Sequence, residues 1–259
     1  MSDVLPDGGT VRLTKEATER GVIAHLVIDH PARRNAMGPA VIQSLAEAAA
    51  GLAGDDDLRV VILRGSNGIF SAGANVKVMA GLDADSARTF ITSLHKAIDV
   101  LRRLPVPVIA VLEGRCYGAA MELAAACDMR IADAAMIAGM PEVRVGIPSV
   151  IEACLLPRLI GWGKTSELLL TGRDLDAAEA KQIGFVEKVA DSRELDGCVD
   201  EWAEMILSCA PGAVRSQKSV MRGWEQDNRK GIEASIQAFS DAFLTDEPAR
   251  YLGPLAGKR

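Results

Sequence analysis

The chain has 259 residues, of which 49% are hydrophobic and 25% charged, a composition that excludes a disordered or collagen-like protein. Only 4% of the residues are aromatic and the formal net charge is −6, so neither a base-stacking platform nor an overall basic surface points to nucleic acid. The length fits one large domain, or a domain with a small appendage.

No targeting or membrane-spanning segment is recognisable. The N-terminal residues lack the basic and apolar regions of a secretory signal. Glu122, Glu152 and Arg158 interrupt the longest apolar stretches before they reach the roughly 18 residues that span a membrane. The five cysteines form no C-x-x-C pair, so we expect reduced thiols. We therefore expect a cytoplasmic protein without a membrane partner, and the scattered histidines predict no metal site.

Predicted strands and helices alternate along most of the chain. Strands are predicted where apolar, often β-branched residues run together, and helices where apolar residues recur at helical spacing. In chain order these are strand 22–28, helix 39–52, strand 60–63, helix 86–104, strand 106–112, helix 119–126, strands 129–132 and 136–138, helices 149–160 and 164–170, a strand near 185–189, and an almost entirely helical stretch from 194 to about 243. The pattern indicates an α/β core followed by an α-helical C-terminal part.

Three Gly/Ala-rich segments carry polar residues in an otherwise small-residue setting. They are 70–77, 114–126 and 139–148. Small residues let a ligand approach the main chain, and N–H groups ahead of a helix are free donors. These segments therefore indicate a ligand site built largely from main chain.

Glu122 and Glu142 lie in the second and third of these segments. Taken alone, Glu122 either faces water in the first turn of a helix or is buried and functional, and Glu142 fits a solvated loop. Taken with the free N–H donors, the two carboxylates supply what enolate chemistry needs. The donors can hold a developing oxyanion, and the carboxylates can move protons through a water.

With these segments in view, the chain resembles the enoyl-CoA hydratase/isomerase (crotonase) family over nearly its full length. The resemblance is carried by 31–36, 70–77, 107–111, 114–128, 141–142 and 170–172. It implies an α/β fold, a crotonase-like spiral of repeated ββα units, over residues 1–195. It also implies a C-terminal α-helical trimerisation region over residues 196–259, and a homotrimer or a hexamer that is a dimer of trimers.

The resemblance also implies roles for individual residues. Glu122 and Glu142 match both catalytic glutamates of the hydratases, and the N–H groups of Ala74 and Ala119 match the oxyanion hole. The acyl-CoA substrate is expected to contact a further set of residues: Arg34, Ala36, Ala72, Asn75, Lys77 and Gly118. No separate cofactor is implied, because coenzyme A is part of the substrate.

Both glutamates favour an enoyl-CoA hydratase, which adds water syn across the α,β double bond, over an isomerase of the same family. Which glutamate is acid and which is base stays open. A thioester hydrolase using the same pair is the nearest alternative. Dehalogenase-like members use an Asp/His arrangement, and we expect His95 to have no such partner. The C-terminal match is weak, which puts a role for Lys258 in doubt.

A different class is a non-catalytic RNA-binding or scaffold protein on the same fold. Its support is a basic cluster: Arg215, Lys218, Arg222, Arg229 and Lys230. We interpret this cluster instead as a solvated helix face or a trimer contact. The glutamate pair and the acidic total favour an enzyme without a nucleic-acid partner.

Overall fold

The strands of the chain form two sheets joined by helices. A computed structural model describes residues 8–223 and 229–257. The strands are β1 (Thr10–Thr18), β2 (Gly21–Asp29), β3 (Leu58–Gly65), β4 (Val108–Leu112), β5 (Arg115–Tyr117), β6 (Met129–Asp133), β7 (Ile137–Gly139), β8 (Asp174–Asp176) and β9 (Lys188–Ala190). The helices are α1 (Pro39–Leu52), α2 (Val76–Met79), α3 (Ala84–Arg102), α4 (Ala119–Ala126), α5 (Leu156–Thr171), α6 (Ala177–Gln182), α7 (Leu195–Ser208), α8 (Pro211–Gly223), α9 (Arg229–Ala242) and α10 (Glu247–Ala256).

The two sheets are built by a repeating ββα path. The larger sheet has the order β1-β2-β3-β4-β6-β9, and the smaller one the order β5-β7-β8. Strands β4 and β6 lie in the larger sheet, and each is followed by a strand of the smaller sheet and then by a helix. Isolated bridges pair Met37 with Ala74 and Ser71 with Cys116, which continues the second layer toward the N-terminus. This confirms the predicted α/β spiral of ββα units.

Burial of β3 and β4 on both faces of the larger sheet explains their sequences. In β3, Val61 and Leu63 join the main core, while Val60 and Ile62 face a second cluster that includes Leu195 of α7. This alternation is the period of two expected of a strand. All five residues of β4 are buried, as expected of a parallel strand covered on both sides.

Helix α8 is attached to the core by two residues of the basic cluster that the sequence analysis identified. Lys218 is 7% exposed, and its Nζ donates to the carbonyl of Val106 (2.8 Å) and to Oδ2 of Asp128 (2.7 Å). Arg215 donates to main-chain carbonyls before β3, including that of Asp55 at 3.0 Å. The interpretation as a solvated helix face is therefore wrong for Lys218, and Arg215 is held against the core by its hydrogen bonds. The alternative interpretation as a trimer contact stays a prediction. The side chains of Arg229 and Lys230, and all of Lys258, lie outside the described residues.

Several predicted boundaries differ from the structure for local reasons. Helices α1 and α4 have the predicted bounds. Strand β1 was not predicted, because most of its residues are polar and exposed. The predicted helix 149–160 is wrong in its first half: Ile151–Leu155 is a 3₁₀ helix, and α5 begins at Leu156 with an interruption at Gly161 (φ 75°). The predicted, almost entirely helical stretch from 194 to about 243 is confirmed: its described residues form α7, α8 and α9, and α10 follows. Within the described ranges, no helix has the length and apolarity to cross a membrane.

Candidate active site

A main-chain ladder fixes the first Gly/Ala-rich loop. The N–H of Ala72 donates to the carbonyl of Arg34 (2.9 Å), that of Met37 to Gly73 (2.8 Å), and that of Asn75 to Met37 (3.0 Å). Arg34 adopts the left-handed region (φ 52°), which turns the chain so that the ladder can form. The loop that carries Ala74 is therefore held by hydrogen bonds from both sides.

Asn35 supports this ladder from inside. It is fully buried and also left-handed (φ 57°). Its Nδ2 donates to the carbonyls of Ser66 (2.9 Å) and Ile69 (2.6 Å), and its own carbonyl accepts from Oγ of Ser71 at 2.7 Å. Asn tolerates the left-handed conformation better than most residues. Asn35 thus has a structural role that the sequence analysis did not identify.

The first and second Gly/Ala-rich loops meet at their main chains. A Cβ added to Gly73 (φ 89°) would overlap the carbonyl oxygen of Tyr117 and lie 3.6 Å from the nitrogen of Ala119. Ala119 is the first residue of α4, so its N–H has no acceptor within the helix. In the described part of the chain, the N–H of Ala74 donates to no protein group. Two available amide donors, Ala74 and Ala119, therefore lie on adjoining loops.

Glu142 packs against the start of α4. It begins the 3₁₀ helix Glu142–Val145, and a Cβ added to Gly118 would overlap its Oε1. Its Oε2 accepts a hydrogen bond from Oγ of Ser149 at 3.0 Å. Burial raises the pKa of Glu142 to about 7, although hydrogen bonds to its own N–H and to Ser149 oppose the shift. Glu142 is therefore a half-buried carboxyl group packed against α4 and not a fully solvated loop residue.

Glu122 is buried within α4. It is 2% exposed, and all eight residues of α4 are buried. Burial, then Glu142, then Glu152 raise the pKa of Glu122 well above its usual range, and main-chain N–H groups of Ala153 and Val150 oppose the shift. A carboxyl group in this setting favours its protonated form. The interpretation of Glu122 as a solvent-facing residue is excluded.

One cavity of about 230 Å³ brings these features together. Both glutamates line it, as do Ala72, Ala74, Gly118 and Ala119. Most of the remaining wall is apolar: Val76, Met79, Phe90, Ile91, Leu94, Val145, Ile147, Pro148, Val150, Phe239 and Leu255. The cavity therefore has a polar end made of carboxyl groups and amides, and an apolar body.

The other predicted substrate contacts lie outside this cavity. Arg34 and Lys77 are exposed, and Ala36 is buried beside the ladder. Asn75 is 5% exposed and caps α2, its Oδ1 accepting from the N–H of Lys77 at 3.1 Å. The structure thus gives Asn75 a structural function as a helix cap. The catalytic and substrate-binding roles of all these residues stay predictions.

His95 has a carboxylate partner, contrary to the sequence analysis. Its Nδ1 lies 2.7 Å from Oε1 of Glu152, which is 2% exposed. Neither residue lines the cavity. The signal for Glu152 was its position in an apolar stretch, which is also the signal of Glu122. In the described residues, no group of His, Cys, Asp and Glu is arranged to hold a metal ion.

Comparison with known proteins decides the family. The model of the enoyl-CoA hydratase/isomerase family matches residues 18–253. The chain belongs to the enoyl-CoA hydratase/isomerase family. This confirms the resemblance drawn from the Gly/Ala-rich segments and the two glutamates.

Relatives in this family match along nearly the whole chain. The short-chain-enoyl-CoA hydratase of Clostridium acetobutylicum is 32% identical over 232 residues, 88% of this chain and 89% of that protein. The enoyl-CoA hydratase domain-containing protein 2, mitochondrial, of Homo sapiens is 32% identical over 265 residues, 100% of this chain and 91% of that protein. The solved enoyl-CoA hydratase of Bacillus anthracis has a TM-score of 0.79 at 31% identity, covering 96% of this chain and 97% of that one.

Proposed function

We propose that the protein is an enoyl-CoA hydratase, which adds water syn across the α,β double bond of an enoyl-CoA thioester. One observation carries the proposal: Glu122 and Glu142 line the same cavity as Ala74 and Ala119, the residues with available amides. Donors placed where negative charge develops are commonly the largest catalytic contribution. Two carboxyl groups beside them can move the protons of one water.

The proposed reaction uses each group once. The amides of Ala74 and Ala119 donate to the thioester oxygen and stabilise the enolate. One glutamate removes a proton from water as the water oxygen bonds to the β-carbon. The other glutamate delivers a proton to the α-carbon. The proton then returns from the base to the acid, so hydrogen and charge balance. This chemistry calls for neither a metal nor a cofactor besides the CoA carried by the substrate.

Binding of the CoA portion is proposed for residues around the cavity. Arg34 and Lys77 are exposed cations near the first Gly/Ala-rich loop, and they can meet phosphate groups in a chain whose net charge is −6. Ala36, Ala72 and Gly118 are small, so a pantetheine chain can approach the main chain closely there. The apolar body of the cavity suits a hydrocarbon acyl group.

The test uses Glu122→Gln and Glu142→Gln with a panel of enoyl-CoAs of different chain lengths. Hydration is followed by loss of the conjugated-enoyl absorbance, and release of free CoA is measured separately. Each variant is expected to lose about 10²-fold or more in hydration, because an acid or base has been removed. Glu113→Gln is the matched control, since Glu113 is a partly buried glutamate paired with Arg64 outside the cavity.

Two outcomes would contradict the proposal. Unchanged hydration in both folded variants would exclude the glutamate pair as acid and base. Release of free CoA from the wild-type protein without hydration would identify a thioester hydrolase instead. The trimeric or hexameric assembly and the cytoplasmic location stay predictions. Light scattering of the protein as it elutes from a size-exclusion column would measure the assembly.

A further inference from the structure

Ser149 contacts Glu142 without lining the proposed active site itself. Its Oγ donates to Oε2 of Glu142 at 3.0 Å, and the serine is half-buried. Its two neighbours in the chain, Pro148 and Val150, line the cavity, whereas Ser149 does not. Any effect of the Ser149 hydroxyl on the reaction therefore passes through the carboxyl group of Glu142.

The main chain between the two residues explains why a serine seven positions away reaches Glu142. The segment begins as the 3₁₀ helix Glu142–Val145 and then turns at Gly146, which has φ 79°. Beyond this turn, the N–H of Ile147 donates back to the carbonyl of Glu142 at 3.2 Å. Because these residues form a closed turn, the chain that follows returns to the Glu142 side chain and brings Ser149 against it.

The two carboxyl oxygens of Glu142 have different surroundings. Oε2 accepts the hydrogen bond from Ser149. Oε1 is the oxygen nearer to Gly118, since a Cβ added to Gly118 would lie 2.2 Å from Oε1 and 3.8 Å from Oε2. Gly118 immediately precedes Ala119, whose amide is one of the two proposed oxyanion donors. Oε1 therefore lies on the side of the proposed oxyanion hole, and Oε2 lies on the side of Ser149.

The hydrogen bond from Ser149 also favours one position for the proton of Glu142. A hydroxyl donates most strongly to a carboxyl oxygen that carries no proton, so the bond to Oε2 favours a neutral form with its proton on Oε1. A donor to the ionised form also lowers the pKa of a carboxyl group. Ser149 acts in this direction on the pKa of Glu142, against the larger effect of burial.

We propose that Ser149 is a positioning residue that holds Oε2 of Glu142 and leaves Oε1 as the oxygen that exchanges a proton during the reaction. This proposal rests on the proposed hydratase function. It applies whether Glu142 is the acid or the base, because in both roles the proton passes through the oxygen beside Gly118. Ser149 itself forms and breaks no covalent bond.

The test is the pH dependence of kcat/KM for hydration by Ser149→Ala. Titration of Glu142, whose pKa is about 7, governs the acid limb of this profile if Glu142 is the base, and the alkaline limb if it is the acid. The limb is expected to move to higher pH by about one unit, because the ionised form loses a hydrogen bond. We expect kcat at the optimum to fall about tenfold as the carboxyl group loses its fixed orientation. KM is expected to stay within about twofold, because Ser149 does not line the cavity.

Two further variants show whether the hydroxyl itself is responsible. Ser192→Ala is the matched control, because Ser192 also donates to a carboxylate, Oδ2 of Asp133, and neither of these residues lines the cavity. This control is expected to leave kcat and both limbs of the profile in place. Ser149→Thr keeps the hydroxyl and is expected to retain the wild-type position of the limb that moves in Ser149→Ala.

A double variant separates action through Glu142 from a general structural effect. If Ser149 acts through Glu142, adding Ser149→Ala to Glu142→Gln changes the residual hydration rate by less than about twofold. The proposal would be overturned by losses that multiply in the double variant, by two unmoved limbs in Ser149→Ala, or by the same limb shift in Ser149→Thr. Wild-type hydration by Glu142→Gln alone, or no hydration by the wild-type protein, would instead refute the hydratase function.

Discussion

Gly118 links the proposed oxyanion hole to Glu142, one of the two proposed catalytic glutamates, and Gly118→Ala tests that link. Gly118 has φ 53° and ψ −119° and immediately precedes Ala119, whose amide is one of the two proposed donors. The new methyl group would overlap Oε1 of Glu142 and lie 3.2 Å from its Cδ. It would also place an L-residue in a backbone region that favours glycine. Either effect shifts the carboxyl group and the amide relative to each other.

The size of the effect follows from these distances. Restoring normal contact requires a movement on the order of 1 Å, and a misplacement of that size can cost about 10²-fold in rate. Backbone strain of this kind costs on the order of 1–3 kcal/mol of stability, or about 2–4 °C in Tm for each kcal/mol in a chain of this size. We therefore expect kcat for enoyl-CoA hydration to fall about 10²-fold, with a Tm lowered by a few degrees.

The assay compares Gly118→Ala with Gly197→Ala. Gly197 lies in α7, and a Cβ added there meets no atom within 4 Å, so this control is expected to keep full activity and to gain slightly in stability. Steady-state hydration gives kcat, and far-UV circular dichroism gives Tm and shows that each variant is folded. A Gly118→Ala protein with wild-type kcat and Tm would refute the contact between Gly118 and Glu142.

Two other predictions follow from the packing. Phe90 lines both the proposed acyl cavity and a neighbouring cavity of about 660 Å³. Phe90→Val is therefore expected to raise the kcat/KM for medium-chain enoyl-CoAs, relative to that for short-chain ones, by about tenfold, as a change in pocket fit allows. An unchanged ratio of the two kcat/KM values in steady-state assays would contradict this. Lys218→Met leaves Asp128 without its cation and the carbonyl of Val106 without its donor, so a loss of about 1–3 kcal/mol in unfolding free energy is expected with kcat unchanged. The measurement is denaturant unfolding, with Lys188→Met as the control because it removes a partly exposed ion pair. Equal losses of unfolding free energy in the two variants would contradict the prediction.

The sequence predicted those elements in which local and tertiary preferences agree. Helix α1 has Pro39 at its first position and a buried apolar face, and α4 follows a glycine with positive φ. Strand β1 was missed because it lies at the edge of the larger sheet, where only Val11 is buried. The strands of the smaller sheet have three residues each, so only β7 was predicted, within 136–138, and β5 and β8 were too short for a period of two to be recognised. The neighbouring α6 has only six residues and was not predicted either.

The candidate site was predictable in part, for a related reason. Glu122 and Glu142 are close in the sequence to the loops that surround them, so motif and side chain could be identified together. The partner of His95 could not be identified in this way, because Glu152 is 57 positions away in the chain. Only the packing of α3 and α4 against the 3₁₀ helix Ile151–Leu155 brings these groups together. The burial that raises the pKa of Glu122 is likewise a property of the whole fold.

The geometry also limits where the chemistry of this site can be adjusted. The N–H of Gly118 donates to the carbonyl of Gly139 at 2.8 Å, its α-carbon supports Glu142, and the next amide is that of Ala119. A change in this segment therefore moves the proposed oxyanion donor and Glu142 together. Phe90 is not connected to that main-chain segment in this way, since it lies in the apolar wall of the cavity. Substitutions at Phe90 are therefore expected to change the length of the acyl group that fits while the proposed oxyanion hole stays intact.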